Sequence, residues 1–159
     1  GCAQQETMLL IMVLNVAAAA GAFACGYLQD RIGHKLTLGS TLVGWVITCI
    51  IAALATTKGQ FWVAAAIAGA CMGSCQSIGR AMVGLFAPRA NLAEFFGLWT
   101  FSTRLASIVG PLAYGVITWV TDGNQRVAIA ATALLFVLGL LALMPINVQR
   151  GRAAALQPV

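Results

Sequence analysis

The chain has 159 residues, of which 60% are hydrophobic and 8% charged, and a formal net charge of +5. Ordinary soluble domains carry roughly 25% charged residues, so nine basic and four acidic side chains cannot clothe a water-facing surface of this size. A soluble fold is excluded, as are intrinsic disorder, which needs low hydrophobicity, and a nucleic-acid module, which needs a concentrated basic stripe.

Apolar runs of about 20 residues, long enough to cross ~30 Å of hydrocarbon as a helix, recur five times. The first covers residues 8–28 and the second 36–55, joined by the polar stretch from Gln29 to Lys35. The third covers 61–86, the fourth 95–120 and the fifth 127–144, with Gly59, Pro88 and the Asp122-Gly123-Asn124 turn between them. Such long, unalternating runs predict helices, because an open strand edge cannot face lipid. The expected class is an all-α membrane protein: a five-helix transmembrane bundle over 1–148 and a disordered cytoplasmic tail over 149–159. Arg31, Lys35, Arg89, Arg150 and Arg152 fall on one side and only Lys58 and Arg126 on the other, which puts the first connection, the third connection and the tail in the cytoplasm. Gly1 would then lie outside, which points to a span missing upstream.

The spans differ chemically. The second and fifth read as lipid-facing, since their hydroxyls at Thr37, Ser40, Thr41, Thr48 and Thr132 can bond back to their own helices. The third places Gly69, Gly73, Gln76, Ser77 and Arg80 on one face, and the fourth carries Thr100, Thr103, Arg104, Ser107 and Tyr114. Gly69 and Gly73 suit close helix packing. Arg80 and Arg104 stand roughly 9 and 14 Å from the ends of their spans, at expected similar depth. An arginine there is costly unless it meets water, a partner or a solute, so each is read either as a helix-locking contact or as the wall of a basic cavity. Asn15 in the first span is read as an interhelical hydrogen-bonding group or a further cavity residue. Gly110-Pro111 interrupts the fourth span as a static kink or a bending point. The cysteines Cys2, Cys25, Cys49, Cys71 and Cys75 are odd in number and lack nearby histidines, so they read as small apolar side chains, and neither metal nor cofactor is expected.

The first connection reads Gly26-Tyr27-Leu28-Gln29-Asp30-Arg31-Ile32-Gly33-His34-Lys35. It resembles the G-x-x-x-D-[RK]-x-G-[RK]-[RK] signature of the major facilitator superfamily, with His34 where a basic residue is usual. Gly26 would admit a neighbouring helix and Gly33 a tight turn. Gly73-Ser74-Cys75-Gln76-Ser77-Ile78-Gly79-Arg80 is similar to the G-G-x-Q-x-x-S-R run of the vacuolar effluxer family, the autophagy-related amino-acid exporters and their bacterial relatives. Phe95-Phe96-Gly97-Leu98-Trp99, followed by Arg104 and Gly110-Pro111, is similar to that family's F-F-G-L-[YW]…K…G-P segment; Ser74, Gly79 and Arg104 depart from its pattern. The resemblance implies that the five helices match the eighth to twelfth of a twelve-helix fold, with the N-terminal half missing.

The expected function is secondary active transport by alternating access of a small solute, such as an amino acid or another carboxylate-bearing metabolite. Asn15, Gln76, Arg80, Thr103, Arg104 and Ser107 would line the cavity. Gly26, Asp30, Arg31, Gly33 and Lys35 would form the cytoplasmic gate, and Gly69, Gly73, Gly110 and Pro111 the packing or hinge points. A coupled proton is left open, with its titrating carboxylate expected outside these spans. The alternative is a non-transporting membrane scaffold or assembly subunit. An enzyme is not expected: the single His34 is in a connection and no span centre holds an acid. The expected location is a bacterial cytoplasmic membrane, or a vacuolar one in a eukaryote.

Overall fold

The computed structural model describes residues 4–156, so Cys2 and residues 157–159 lie outside it. The described residues form helices α1 (Gln4–Ile32), α2 (His34–Leu54), α3 (Lys58–Phe86), α4 (Leu92–Val120), α5 (Gln125–Leu143) and α6 (Val148–Ala155), with one 3-10 turn, Arg89–Asn91. Four of them, α1, α2, α3 and α5, are long and apolar enough to cross a membrane. α4 equals α1 and α3 at 29 residues but falls outside that group, since Glu94, Arg104, Pro111 and its hydroxyls dilute its apolar character. The 29-residue helices are about 43 Å long and exceed a ~30 Å hydrocarbon layer, so they tilt or project beyond it.

Helix ends follow local chemistry. Thr57 caps α3 in a reciprocal capping box with Gln60. Asn124 accepts the Arg126 and Val127 amides at the start of α5. Between α1 and α2 the connection is one residue, Gly33, at φ +88°, where a side chain would be strained.

α1 and α3 run parallel and make the most extensive contact in the fold, and α2 runs antiparallel between α3 and α5. The α1–α3 seam is made of small residues. A Cβ at Gly69 would strike the Leu14 carbonyl, one at Gly73 the Ala18 carbonyl and one at Gly21 the backbone of Ala70. Backbones meet where lipid offers no hydrophobic drive for association and only packing and polar contacts hold helices together. Ser74 Oγ donates across this seam to the Gly21 carbonyl at 3.0 Å. Further along, the contact line leaves Gly69 and Gly73 and passes to Ser74, Ile78 and Met82, which bury Cys25.

Three expectations are corrected. α2 is not simply lipid-facing. Val43, Ile47, Ile50 and Leu54 are exposed, but Thr37, Thr41, Thr48 and Cys49 form a buried face. Thr41 and Thr48 bond back to carbonyls of α2 and Thr37 to the carbonyl of the preceding Gly33, at 2.7–2.9 Å, so the buried face carries satisfied hydroxyls. Among the described residues no helix approaches Gly26, where a Cβ would meet nothing within 4 Å; the close approaches fall at Gly21, Gly69 and Gly73. Finally, the segment expected as a disordered tail contains α6. Asn147 Oδ1 accepts the Arg150 amide at 3.1 Å, and Gly151 seats the helix on the Phe86 ring at the end of α3.

The glycine seam yields a direct expectation. Gly73→Ala drives a methyl group into the Ala18 backbone and should destabilise the protein by about 1–3 kcal/mol. Gly84→Ala, in open space on the same helix, should be neutral or stabilising by up to about 1 kcal/mol. Thermal midpoints in detergent compare the two; equal midpoints would mean that the seam is not where the stability resides.

Candidate functional site

The swing of the α1–α3 contact line decides what α3 shows. Gly69 is buried and Gly73 half-buried under α1, whereas Gln76 and Arg80, on nearly the same face one and two turns on, are left exposed. The Arg80 guanidinium lies over the Trp99 ring of α4, 5.5 Å from its centroid, a cation–π arrangement. Gly79 makes room for that ring, since a Cβ there would come 3.3 Å from Trp99 Nε1. Trp99 thus ties α4 to α3, and it was missed by reasoning on charge and spacing, although it ends the Phe95–Trp99 motif.

The rest of the expected cavity set is distributed along α4 and α1. α4 buries no residue. Thr103 is half-buried one turn from Trp99, while Arg104 and Ser107 are exposed. Thr103 Oγ1 donates to the Thr100 carbonyl and Ser107 Oγ to the Arg104 carbonyl, at 2.8 and 2.7 Å, so both hydroxyls are turned to their own helix. Arg104 lies five residues past Trp99 on α4, about 7 Å along the helix axis from the residue that meets Arg80. Asn15 is exposed, and its Nδ2 donates to the Ile11 carbonyl at 2.8 Å. The structure therefore brings Arg80 and Trp99 together and leaves Gln76 and Arg104 exposed, while Ser107 and Asn15, also exposed, are hydrogen-bonded to their own helices. Among the described residues the one ion pair is Lys58 with Glu6, at 3.1 Å, far from both arginines at the starts of α3 and α1.

Gly110 and Pro111 sit inside a continuous α4. Pro111 offers no N–H to the Ser107 carbonyl, and an apolar cleft of about 440 Å³ lies beside it between Tyr114 and Ile117 of α4 and Ala131 and Leu135 of α5. This is loosely packed space next to a weakened backbone.

Of the expected gate residues, Asp30 and Arg31 are both exposed at the end of α1. They are not paired: the Arg31 guanidinium lies 4.6 Å from the Tyr27 ring centroid. One residue earlier, Gln29 Oε1 is buried without a hydrogen-bond partner among the described residues. Lys35 has a definite task, since its Nζ donates to the carbonyls of Met144 and Ile146 at 2.6 and 2.8 Å. A cation there neutralises the negative end of the α5 dipole. No group of three or more potential metal ligands occurs among the described residues.

Three comparisons bear on this arrangement. A family model described as "Vacuole effluxer Atg22 like" matches residues 1–156. An "Uncharacterized MFS-type transporter YxiO" of Bacillus subtilis is 29% identical over 143 residues, covering 90% of this chain and 33% of the relative. "Autophagy-related protein 22" of Eremothecium gossypii is 31% identical over 96 residues, 60% of this chain and 19% of the relative, and "Autophagy-related protein 22-1" of Aspergillus fumigatus is 34% identical over 96 residues, 57% and 16%. The chain spans a third or less of the length of these relatives. No solved structure matches.

The Lys35 contact generates a second expectation. Lys35→Met removes two charge-assisted bonds at a partly exposed site, worth about 1 kcal/mol after screening by solvent. Amide hydrogen exchange in residues 146–156 should then quicken about fivefold while α1 and α3 stay protected. Unchanged exchange would mean that the α5–α6 junction holds without Lys35.

Proposed function

The chain belongs to the vacuole effluxer Atg22-like family, and from that premise and the geometry above we propose that it is part of a secondary active transporter of the major facilitator type. In this reading α1 to α5 are the eighth to twelfth of twelve membrane helices, α4 included, and the open faces of α1, α3 and α4 meet the other half of the transporter around a central path. The solute is small and carries a carboxylate, as an amino acid does.

One observation carries the reading. Arg80 and Arg104 stand on neighbouring helices with Gln76 between them and the α1 seam, and neither has a carboxylate partner among the described residues. Unpaired guanidinium groups within a membrane helix are expensive, and an anionic solute reaching them from a water-filled path supplies the compensation. Arg80 is oriented by the Trp99 face, leaving its N–H fork available for a carboxylate, while Arg104 lies deeper along α4. Alternating access then requires α4 to bend relative to α5, and Pro111 beside its apolar cleft is the weak point.

In the full-length transporter reconstituted in vesicles and assayed with each of the twenty amino acids, Arg104→Gln should raise the apparent KM at least about tenfold, the worth of one charged hydrogen bond, or abolish uptake. Arg104→Lys should retain part of the activity, because charge survives when the fork is lost. Wild-type affinity in Arg104→Gln for every anionic solute tested would end the carboxylate proposal. An activity restored by swapping Arg104 with an acid in the other half would recast it as a salt bridge between halves.

Pro111→Ala restores a backbone bond and stiffens α4. Turnover should fall severalfold with solute affinity nearly unchanged, measured as kcat against Kd. Equal turnover in variant and parent would remove bending at Pro111 from the mechanism.

A further inference from the structure

α6 is placed by three contacts that have no part in the solute path. Lys35 holds the carbonyls of Met144 and Ile146, so the chain turns at Pro145 just beyond the last apolar turn of α5. Asn147 then caps the new helix through the Arg150 amide. Gly151 rests so closely on Phe86 that a Cβ would approach the ring to 2.7 Å, and α6 therefore crosses from the end of α5 to the end of α3. A larger residue at 151 would lift it away.

Arg150 and Arg152 flank that glycine and are both exposed, while Val148, Gly151 and Ala155 are half-buried. The α3 end that receives α6 leads within three residues to Arg89, which is exposed as well. Three guanidinium groups thus belong to one corner of the bundle. The acids at this end of the molecule do not answer them: Glu94 accepts a hydrogen bond from Asn91 Nδ2 at 2.9 Å, Asp30 stands exposed at the end of α1, and among the described residues neither forms an ion pair with an arginine. The corner lies where the apolar helices α3 and α5 end.

We infer that α6 is an interfacial helix and that Arg150 and Arg152, with Arg89, dock the phosphate of an anionic phospholipid headgroup. One side of α6 is occupied by protein, and Arg150 and Arg152, about 160° apart around the helix axis, leave it to either side of Gly151, where their long side chains can reach a headgroup layer beyond the bundle. Each arginine near an anionic surface contributes about a fivefold gain in affinity, and arginine binds phosphate oxygens through two parallel N–H bonds.

The test is native mass spectrometry of the full-length transporter in detergent, titrated separately with phosphatidylglycerol, phosphatidylcholine and inorganic phosphate. The double variant Arg150→Gln/Arg152→Gln should bind phosphatidylglycerol about 25-fold more weakly and Arg89→Gln about fivefold more weakly, with phosphatidylcholine adducts unchanged. Gly151→Leu, which keeps every charge but displaces α6 from Phe86, should weaken phosphatidylglycerol binding as well. Parent-like phosphatidylglycerol affinity in the double variant would overturn the proposal, and so would an equal loss of phosphatidylcholine. Displacement of the lipid by millimolar inorganic phosphate would make the corner a free-anion site and overturn the lipid assignment.

Discussion

Everything in this bundle depends on two backbones that touch. In lipid the tails are as apolar as leucine, so exclusion from water does not hold one helix to another. α1 and α3 solve the problem by removing side chains from the seam. Gly21, Gly69 and Gly73 let carbonyls of one helix approach the Cα atoms of the other, a geometry that also permits weak C–H···O contacts. Ser74, bonded to the Gly21 carbonyl, adds a directional link that fixes register.

That contact also explains why polar groups survive further along α3. The two helices stay in contact past this point, but the contact line turns round α3 to Ser74, Ile78 and Met82, and the face that α1 covers at Gly73 is left open at Gln76 and Arg80. Packing at one level thus exposes charge at another. The energetic cost of the arginine is reduced locally by Trp99, whose ring gives the cation a polarisable surface, and the small Gly79 is what allows the ring to sit there. α4 is held at this one level and otherwise packs sparsely on α5, a bundle edge with little burial to resist movement.

Much of this was legible in the residues. Apolar run lengths located the helices to within a few residues at most ends, and the spacing of Gly69 and Gly73 announced a close seam. The pairing of small residues on α1 was hidden, because alanines at 17–20 fit a lipid-facing helix equally well. The buried threonine face of α2 was misread for a physical reason: a hydroxyl bonded to its own helix looks the same to the sequence whether lipid or protein covers it. α6 was missed because two arginines and a glycine resemble an unstructured end until the Phe86 ring gives the glycine a purpose. At the site, charge spacing singled out Arg80 and Arg104; Trp99 stood in the Phe95–Trp99 motif, but a motif does not show which side chain on another helix its aromatic residue meets, and only three-dimensional contact tied it to Arg80.

The single-residue joint at Gly33 has a mechanical consequence. A connection of several residues would act as slack and let α1 and α2 tilt independently, but one glycine at φ +88° leaves only its own two dihedral angles to absorb a difference in tilt. Its carbonyl is further tied to the Thr37 amide and hydroxyl, at 3.1 and 2.8 Å. α1 and α2 therefore behave as the two arms of a stiff hairpin. Torque applied to either arm is delivered to the other, and through α2 it reaches α5 on the far side of the bundle.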